Sequence, residues 1–168
     1  MKTAKLIIDG KEIEIQINEE QLKQLCPQKK KTGYERVNTY EGYCRVVAND
    51  CIIQTTELDN DYDDKCYELC NYYSSKQVAK NNVRADRLMR QLRRFAVEHR
   101  EEKLDWKKTD QHKFYIYYTN KYGISIGDVV ALYDFGAIYF DTKESAKLAI
   151  DIFKDELLWY FTEYQDSL

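Results

Sequence analysis

Residues 71–80 read NYYSSKQVAK, and residues 138–147 read IYFDTKESAK. Each string has two adjacent aromatics, a short polar pair and then Lys-x-x-Ala-Lys, and the second begins 67 residues after the first. Tyr72 aligns with Tyr139, Tyr73 with Phe140, Ser75 with Thr142, Lys76 with Lys143, Ala79 with Ala146, Lys80 with Lys147 and Val83 with Ile150. The agreement ends where Asp86 falls opposite Phe153. Aromatics followed by a hydroxyl residue and a helix-forming run mark the end of a strand and a capped helix start.

Working outward, each copy reads as strand–strand–strand–helix. In the first, YCRVV (43–47) and CIIQTT (51–56) flank Ala-Asn-Asp, the acidic ELDNDYDD (57–64) reads as a loop, and KCYELCNYY (65–73) reads as a third strand. Ser74 or Ser75 then caps a helix to about His99. In the second, KFYIYY (113–118), ISIGDVVALY (124–133) and GAIYF (136–140) are expected strands. Asp141 to Glu144 has capping-box spacing, and the following helix is expected to reach Tyr164. Ahead of both copies, Asp9-Gly10 and the alternation of Ile13, Ile15 and Ile17 predict a hairpin, and Asn18 precedes a short helix, EEQLKQL (19–25). The expected fold is therefore α+β: two similar antiparallel strand–strand–strand–helix units (34–104 and 105–168) behind an N-terminal hairpin and short helix (1–33). Pairing of the two copies within one chain or across a homodimer stays open.

The chain has 168 residues, a net charge of −3 and 33% charged residues, so charge as a whole does not mark it as a nucleic-acid binder. No apolar run approaches the roughly 20 residues of a membrane helix, and MKTAKLIIDGKEIEI has no signal-peptide h-region. A cytosolic setting is expected, in which Cys26, Cys44, Cys51, Cys66 and Cys70 are reduced thiols.

On a wheel of about 100° per residue, Lys76, Lys80, Arg84, Arg87, Arg90 and Arg94 form one stripe of the first long helix. Ala85, Leu88, Met89, Leu92, Phe95 and Ala96 lie opposite, with His99, which reads as a core residue rather than a ligand. The stripe is a candidate contact for a nucleic-acid backbone; its alternative is a solvated face or one facing Glu57, Asp59, Asp61, Asp63 and Asp64. Those acids, with a second acidic patch over 151–156, are candidate partner contacts. Alternation puts Phe114, Ile116 and Tyr118 on one face of a strand and Tyr115 and Tyr117 on the other, making the latter two candidate partner contacts. In the last helix, Ala146, Ile150, Phe153, Leu157, Phe161 and Tyr164 form a core stripe. Leu148, Ile152 and Trp159 form a second apolar strip, explained by a partner or by a break near Asp155.

The spacing Cys44-x6-Cys51-x14-Cys66-x3-Cys70 lacks the tight pairs of zinc sites. Asp59, Asp61 and Asp63 imitate a calcium loop without its glycine or final glutamate. P-loop, dinucleotide, nucleophile-elbow and kinase signatures are absent from the sequence. We expect no enzyme, no cofactor and no metal.

NYYSSKQVAK, RQLRRFAVEH, DWKKTDQHKFYIYY and FGAIYFDTKESAKLAIDIF together resemble a group of small accessory proteins of phages and prophages of Gram-positive bacteria, over residues 40–161. Some small proteins of that setting inhibit host defence, including anti-CRISPR proteins that bind RNA-guided nucleases. The resemblance implies a phage-encoded inhibitor that binds a host defence protein or nucleoprotein complex, in the first place an RNA-guided CRISPR nuclease. It transfers no site residue. The alternatives are a DNA- or RNA-binding accessory protein of phage replication or regulation, and a structural or assembly protein.

Overall fold

Strands β1 (Lys2–Ile8) and β2 (Lys11–Ile17) form the expected hairpin, antiparallel from Lys2 opposite Ile17 to Ile8 opposite Lys11. The computed structural model describes residues 2–8, 11–18 and 31–165, and the chain divides into two compact units, Met1–Thr32 and Gly33–Leu168. The Asp9-Gly10 turn and the helix expected over 19–25 lie outside the described residues.

The second unit opens with the antiparallel pair β3 (Gly42–Val47) and β4 (Cys51–Thr56). Asn49 and Asp50 at its tip adopt left-handed φ of 60° and 59°, which these two residue types tolerate better than other non-glycine residues. Helix α1 (Asp61–Glu68) then stands where a loop and a third strand were expected. Asn60 decides this, because its side chain accepts from the N–H groups of Tyr62 and Asp63. Asp61, Asp63 and Asp64 occupy the first turn, where negative charge favours a helix over the strand preference of the residues behind them. The expected third strand shrinks to one bridge, Cys44 with Tyr73. Ser75 caps α2 (Lys76–Glu98).

In the second copy, β5 (Lys113–Thr119), β6 (Gly123–Val129) and β7 (Tyr139–Phe140) form an antiparallel sheet of order β6-β5-β7. Both longer expectations, 124–133 and 136–140, are cut short by a loop over 130–138. Its backbone finds partners off the ladder: the Val130 carbonyl accepts from Lys113 Nζ at 3.0 Å, and Ala137 N donates to Asp134 O at 3.2 Å. Helix α3 (Lys143–Trp159) starts at Thr142, whose hydroxyl accepts from Ser145 N at 3.1 Å. The expected capping box is not formed, because the Asp141 carboxylate accepts from the N–H groups of Glu101 and Glu102 at 2.6 and 2.9 Å. The helix is interrupted at Phe153 (φ −104°, ψ 18°) and continues as a π turn, Tyr160–Tyr164.

The fold is α+β, and the repeated string is the same junction twice. The main core joins Leu88, Leu92, Phe95 and Ala96 of α2 to Phe140, Ala146, Ala149 and Leu157 of the second copy, so the first helix is buried against the second sheet and helix. His99 is outside this core: it caps α2 in an exposed position, stacked on Phe95 at 3.8 Å with Nδ1 3.0 Å from the Phe95 carbonyl.

Candidate binding surfaces

The basic stripe faces acids from both copies. Arg84 binds Glu156 with two hydrogen bonds, at 2.7 and 3.0 Å, and its guanidinium lies 3.9 Å from the centre of the Trp159 ring. Arg87 and Arg90 converge on Asp50, at 3.1 and 2.7 Å. These guanidinium hydrogen bonds hold the Glu156 and Asp50 carboxyls below the usual carboxylate range, and Glu156 raises Arg84 in turn. Arg94 reaches only Glu98, at 3.5 Å along its own helix. Lys76 and Lys80 are exposed and have no acidic partner among the described residues. Lys80, Arg84, Arg87, Asp50 and Glu156 line a charged cleft of about 530 Å³. Much of the stripe therefore works as a clip, tying α2 to the β3–β4 tip and to α3.

The acids of 57–64 serve a different cation. Arg36 bonds Glu57 at 3.0 Å, Asp64 at 2.6 Å and Asp59 at 3.5 Å. Glu57, 1% exposed, also accepts from the Tyr72 hydroxyl at 2.7 Å and Asp59 N at 2.9 Å. The Arg36 hydrogen bond, against the cost of burial, holds Glu57 at about 2, and burial with the Glu57 hydrogen bond pushes Tyr72 up to about 12. Asp63 is not a partner-facing acid: it is buried, accepting from the Tyr43 hydroxyl at 2.7 Å and Leu58 N at 2.8 Å. The reason is the stacked pair Tyr43–Tyr72, 3.8 Å apart and buried, whose hydroxyls require acceptors. Asp61 remains exposed.

Tyrosines dominate the outer face of the β6-β5-β7 sheet. Register places Tyr115 between Gly127 and Tyr139, and Tyr117 opposite Ser125. A Cβ on Gly127 would come within 2.6 Å of the Tyr115 ring, so the glycine lets that ring lie flat across β6. Tyr117 is exposed, while Tyr115 and Tyr139 are half-buried. The row runs from Tyr115 to Tyr139 (6.0 Å), Trp106 (4.8 Å) and Tyr133 (3.8 Å). On the inner face Phe114 and Ile116 join the core, and Tyr118 stacks on Phe161 at 5.7 Å. Trp159, expected on an open apolar strip, is instead buried, because the Phe153 break and the π turn bring it under Arg84 and beside Tyr164. Leu148 and Ile152 of that strip remain exposed.

Three features escaped the sequence reading. Arg36 gathers the 57–64 acids, Lys113 is fully buried, and Phe135 is fully exposed at the tip of the 130–138 loop. A cation in the β-strand alternation and a Phe-Gly pair were the available signals. Among the described residues no group of histidines, cysteines and acids could hold a metal ion, no helix is long and apolar enough to cross a membrane, and Cys44, Cys51, Cys66 and Cys70 are free thiols. No protein-family model, curated protein or solved structure matches the chain.

Proposed function

We propose that the chain is a non-enzymatic, phage-encoded inhibitor that binds a host defence complex, in the first place an RNA-guided CRISPR nuclease, through the outer face of the β6-β5-β7 sheet. The observation carrying this reading is the tyrosine row led by Tyr115 and the exposed Tyr117, laid over the small residues Gly127 and Ser125. Tyrosine gives large contact area with one polar tip, and protein interfaces draw their anchors from it. Internal use of Arg84, Arg87 and Arg90 lowers the charge left for a bare phosphate backbone.

The test is target cleavage by a purified, guide-loaded nuclease with the protein added. Inhibition is expected, weakened about tenfold or more by Tyr117→Ala and little changed by Arg94→Glu. Nucleases unaffected by the protein and not bound by it overturn the reading. A second reading, a nucleic-acid-binding accessory protein, draws on Lys76 and Lys80 near the start of α2 and Arg94 towards its end, which make no ion pair beyond their own helix among the described residues. It requires binding to naked DNA or RNA that falls steeply with salt and is lost in Lys80→Glu/Arg94→Glu.

A further inference from the structure

Strand β7 pairs with β5 at only two positions, Phe114–Phe140 and Tyr115–Tyr139. Beyond Tyr115, that side of β5 faces a groove of about 550 Å³ instead of a strand. Leu88, Met89 and Leu92 of α2, with Leu157, Tyr160 and Phe161, line its apolar interior, Tyr115 and Tyr117 stand on its β5 side, and residues 134–138 form its far rim, so an occupant of the groove competes with a partner on the outer tyrosine face.

The rim carries a knob. Asp134 to Ala137 closes a turn (Ala137 N to Asp134 O, 3.2 Å), Gly136 supplies the positive φ of 79°, and Phe135 at the turn's second position is 109% exposed. Leu132 and Tyr133 beside it are 61% and 62% exposed. This turn is braced. The Tyr139 hydroxyl accepts from Asp134 N at 2.7 Å and reaches Leu132 O at 3.5 Å, and Tyr133 stacks on Trp106 at 3.8 Å. An aromatic knob is thus held out beside an apolar hole.

We propose that the occupant of the groove is Phe135 of a second copy of this chain, exchanged reciprocally across a two-fold axis. A knob and a hole side by side on one surface make it self-complementary, which a two-fold contact requires. Among the described residues, Asp134 is the only ionisable acid or base lining the groove apart from tyrosines, so these residues bring two copies together with little repulsion and offer a polyanion no cation. An aromatic side chain buries about 150–250 Å². Two copies of Phe135, with the exposed parts of Tyr133 and Leu132 and the groove walls, bring the contact at full burial to about 1,200 Å², the lower end of the range of stable interfaces.

The test is sedimentation velocity of the full chain over a hundredfold concentration range. A dimer of the 20.1 kDa chain is expected. Phe135→Ser should weaken it about a hundredfold or more, since two anchors are lost per dimer. Ile152→Ser, at an exposed apolar site on α3 away from the groove, should leave it unchanged. A photoreactive benzoylphenylalanine at position 135, in mixed isotopically light and heavy chains, should cross-link light to heavy at residues 88–92 or 157–161. A monomer at every concentration overturns the proposal and leaves the groove to a foreign peptide. A dimer indifferent to Phe135→Ser, or cross-links confined to one chain, overturns it equally.

Discussion

Replacing Lys113 by methionine tests whether a buried cation without a carboxylate can hold a loop. Lys113 is 0% exposed. Its Nζ donates to the carbonyls of Gln111 at 2.8 Å, Val130 at 3.0 Å and Lys108 at 3.3 Å, and sits 5.1 Å from the Trp106 ring centre. Hydrogen bonds from a charged donor contribute about 1.5–3 kcal/mol each, so the two shorter ones are worth roughly 3–6 kcal/mol. Methionine preserves the stem's packing and removes the cost of burying an ammonium, several kcal/mol. Counted from the acceptor side, the same loss is two carbonyls left without this donor, at about 1–3 kcal/mol apiece. The net expectation is a loss of about 2–4 kcal/mol, and at about 2–4 °C per kcal/mol for a chain of this size Tm falls by roughly 5–15 °C. Calorimetry measures the total, and amide exchange locates it: protection should drop first around residues 105–112 and 129–132. A Lys113→Met protein as stable as the parent, with unchanged exchange there, would refute the reasoning.

The Glu57 carboxyl, held at about 2 against an unfolded value of 4.5, stabilises the fold above pH 4.5. That contribution, on the order of 3 kcal/mol, is lost as pH falls from about 4.5 through about 2. Acid titration of stability should therefore flatten in Glu57→Gln, whose stability at neutral pH should already be lower. Arg84 and Glu156 are each about two-fifths exposed, so a double-alanine cycle should return a coupling of only about 0.3–1 kcal/mol. Arg84→Ala alone should cost somewhat more, because its cation–π contact with Trp159 adds about 0.5–1 kcal/mol. Ala146→Leu places a branched side chain where none of the surface is exposed and should cost about 1–3 kcal/mol by overpacking, measurable by urea denaturation.

What was legible in the sequence followed from local periodicity. The strand-like runs located β3 to β6, and a serine ahead of the first amphipathic run located the cap at Ser75, whereas the second cap falls on Thr142, one residue past the Asp141 to which capping-box spacing pointed. Local preference misled at α1, where tyrosines and cysteines suggested a strand but Asn60 and three aspartates made a helix start. The basic stripe was legible as a stripe but not as a clip. Its partners lie 37 residues away at Asp50 and 72 away at Glu156, and only the tertiary fold brings them close. Lys113 shares the tyrosine face by alternation, yet its burial depends on carbonyls from two loops whose paths no periodicity encodes.

The repeated string has a common physical task in both copies. Its first aromatic uses a hydroxyl to fix a loop that precedes the helix: Tyr72 accepts from Val37 N at 3.2 Å, and Tyr139 accepts from Asp134 N at 2.7 Å. Its second aromatic, Tyr73 or Phe140, is buried beside the helix. Close approach of that helix to the strand needs a small residue one turn in, and Ala79 and Ala146 are both 0% exposed. The copies diverge in what surrounds this shared joint. The first closes its outer tyrosines inward on Glu57 and Asp63 as a satisfied polar network. The second has Gly127 and Ser125 where bulk would cover the sheet, and its tyrosines stay at the surface. One tyrosine set sealed and the other open gives the first copy a stabilising role, and under the proposed function leaves recognition to the second. On that argument, substitutions in the first copy should act through folding, and one at the exposed Tyr117 should act, under the proposed function, through binding at nearly unchanged stability.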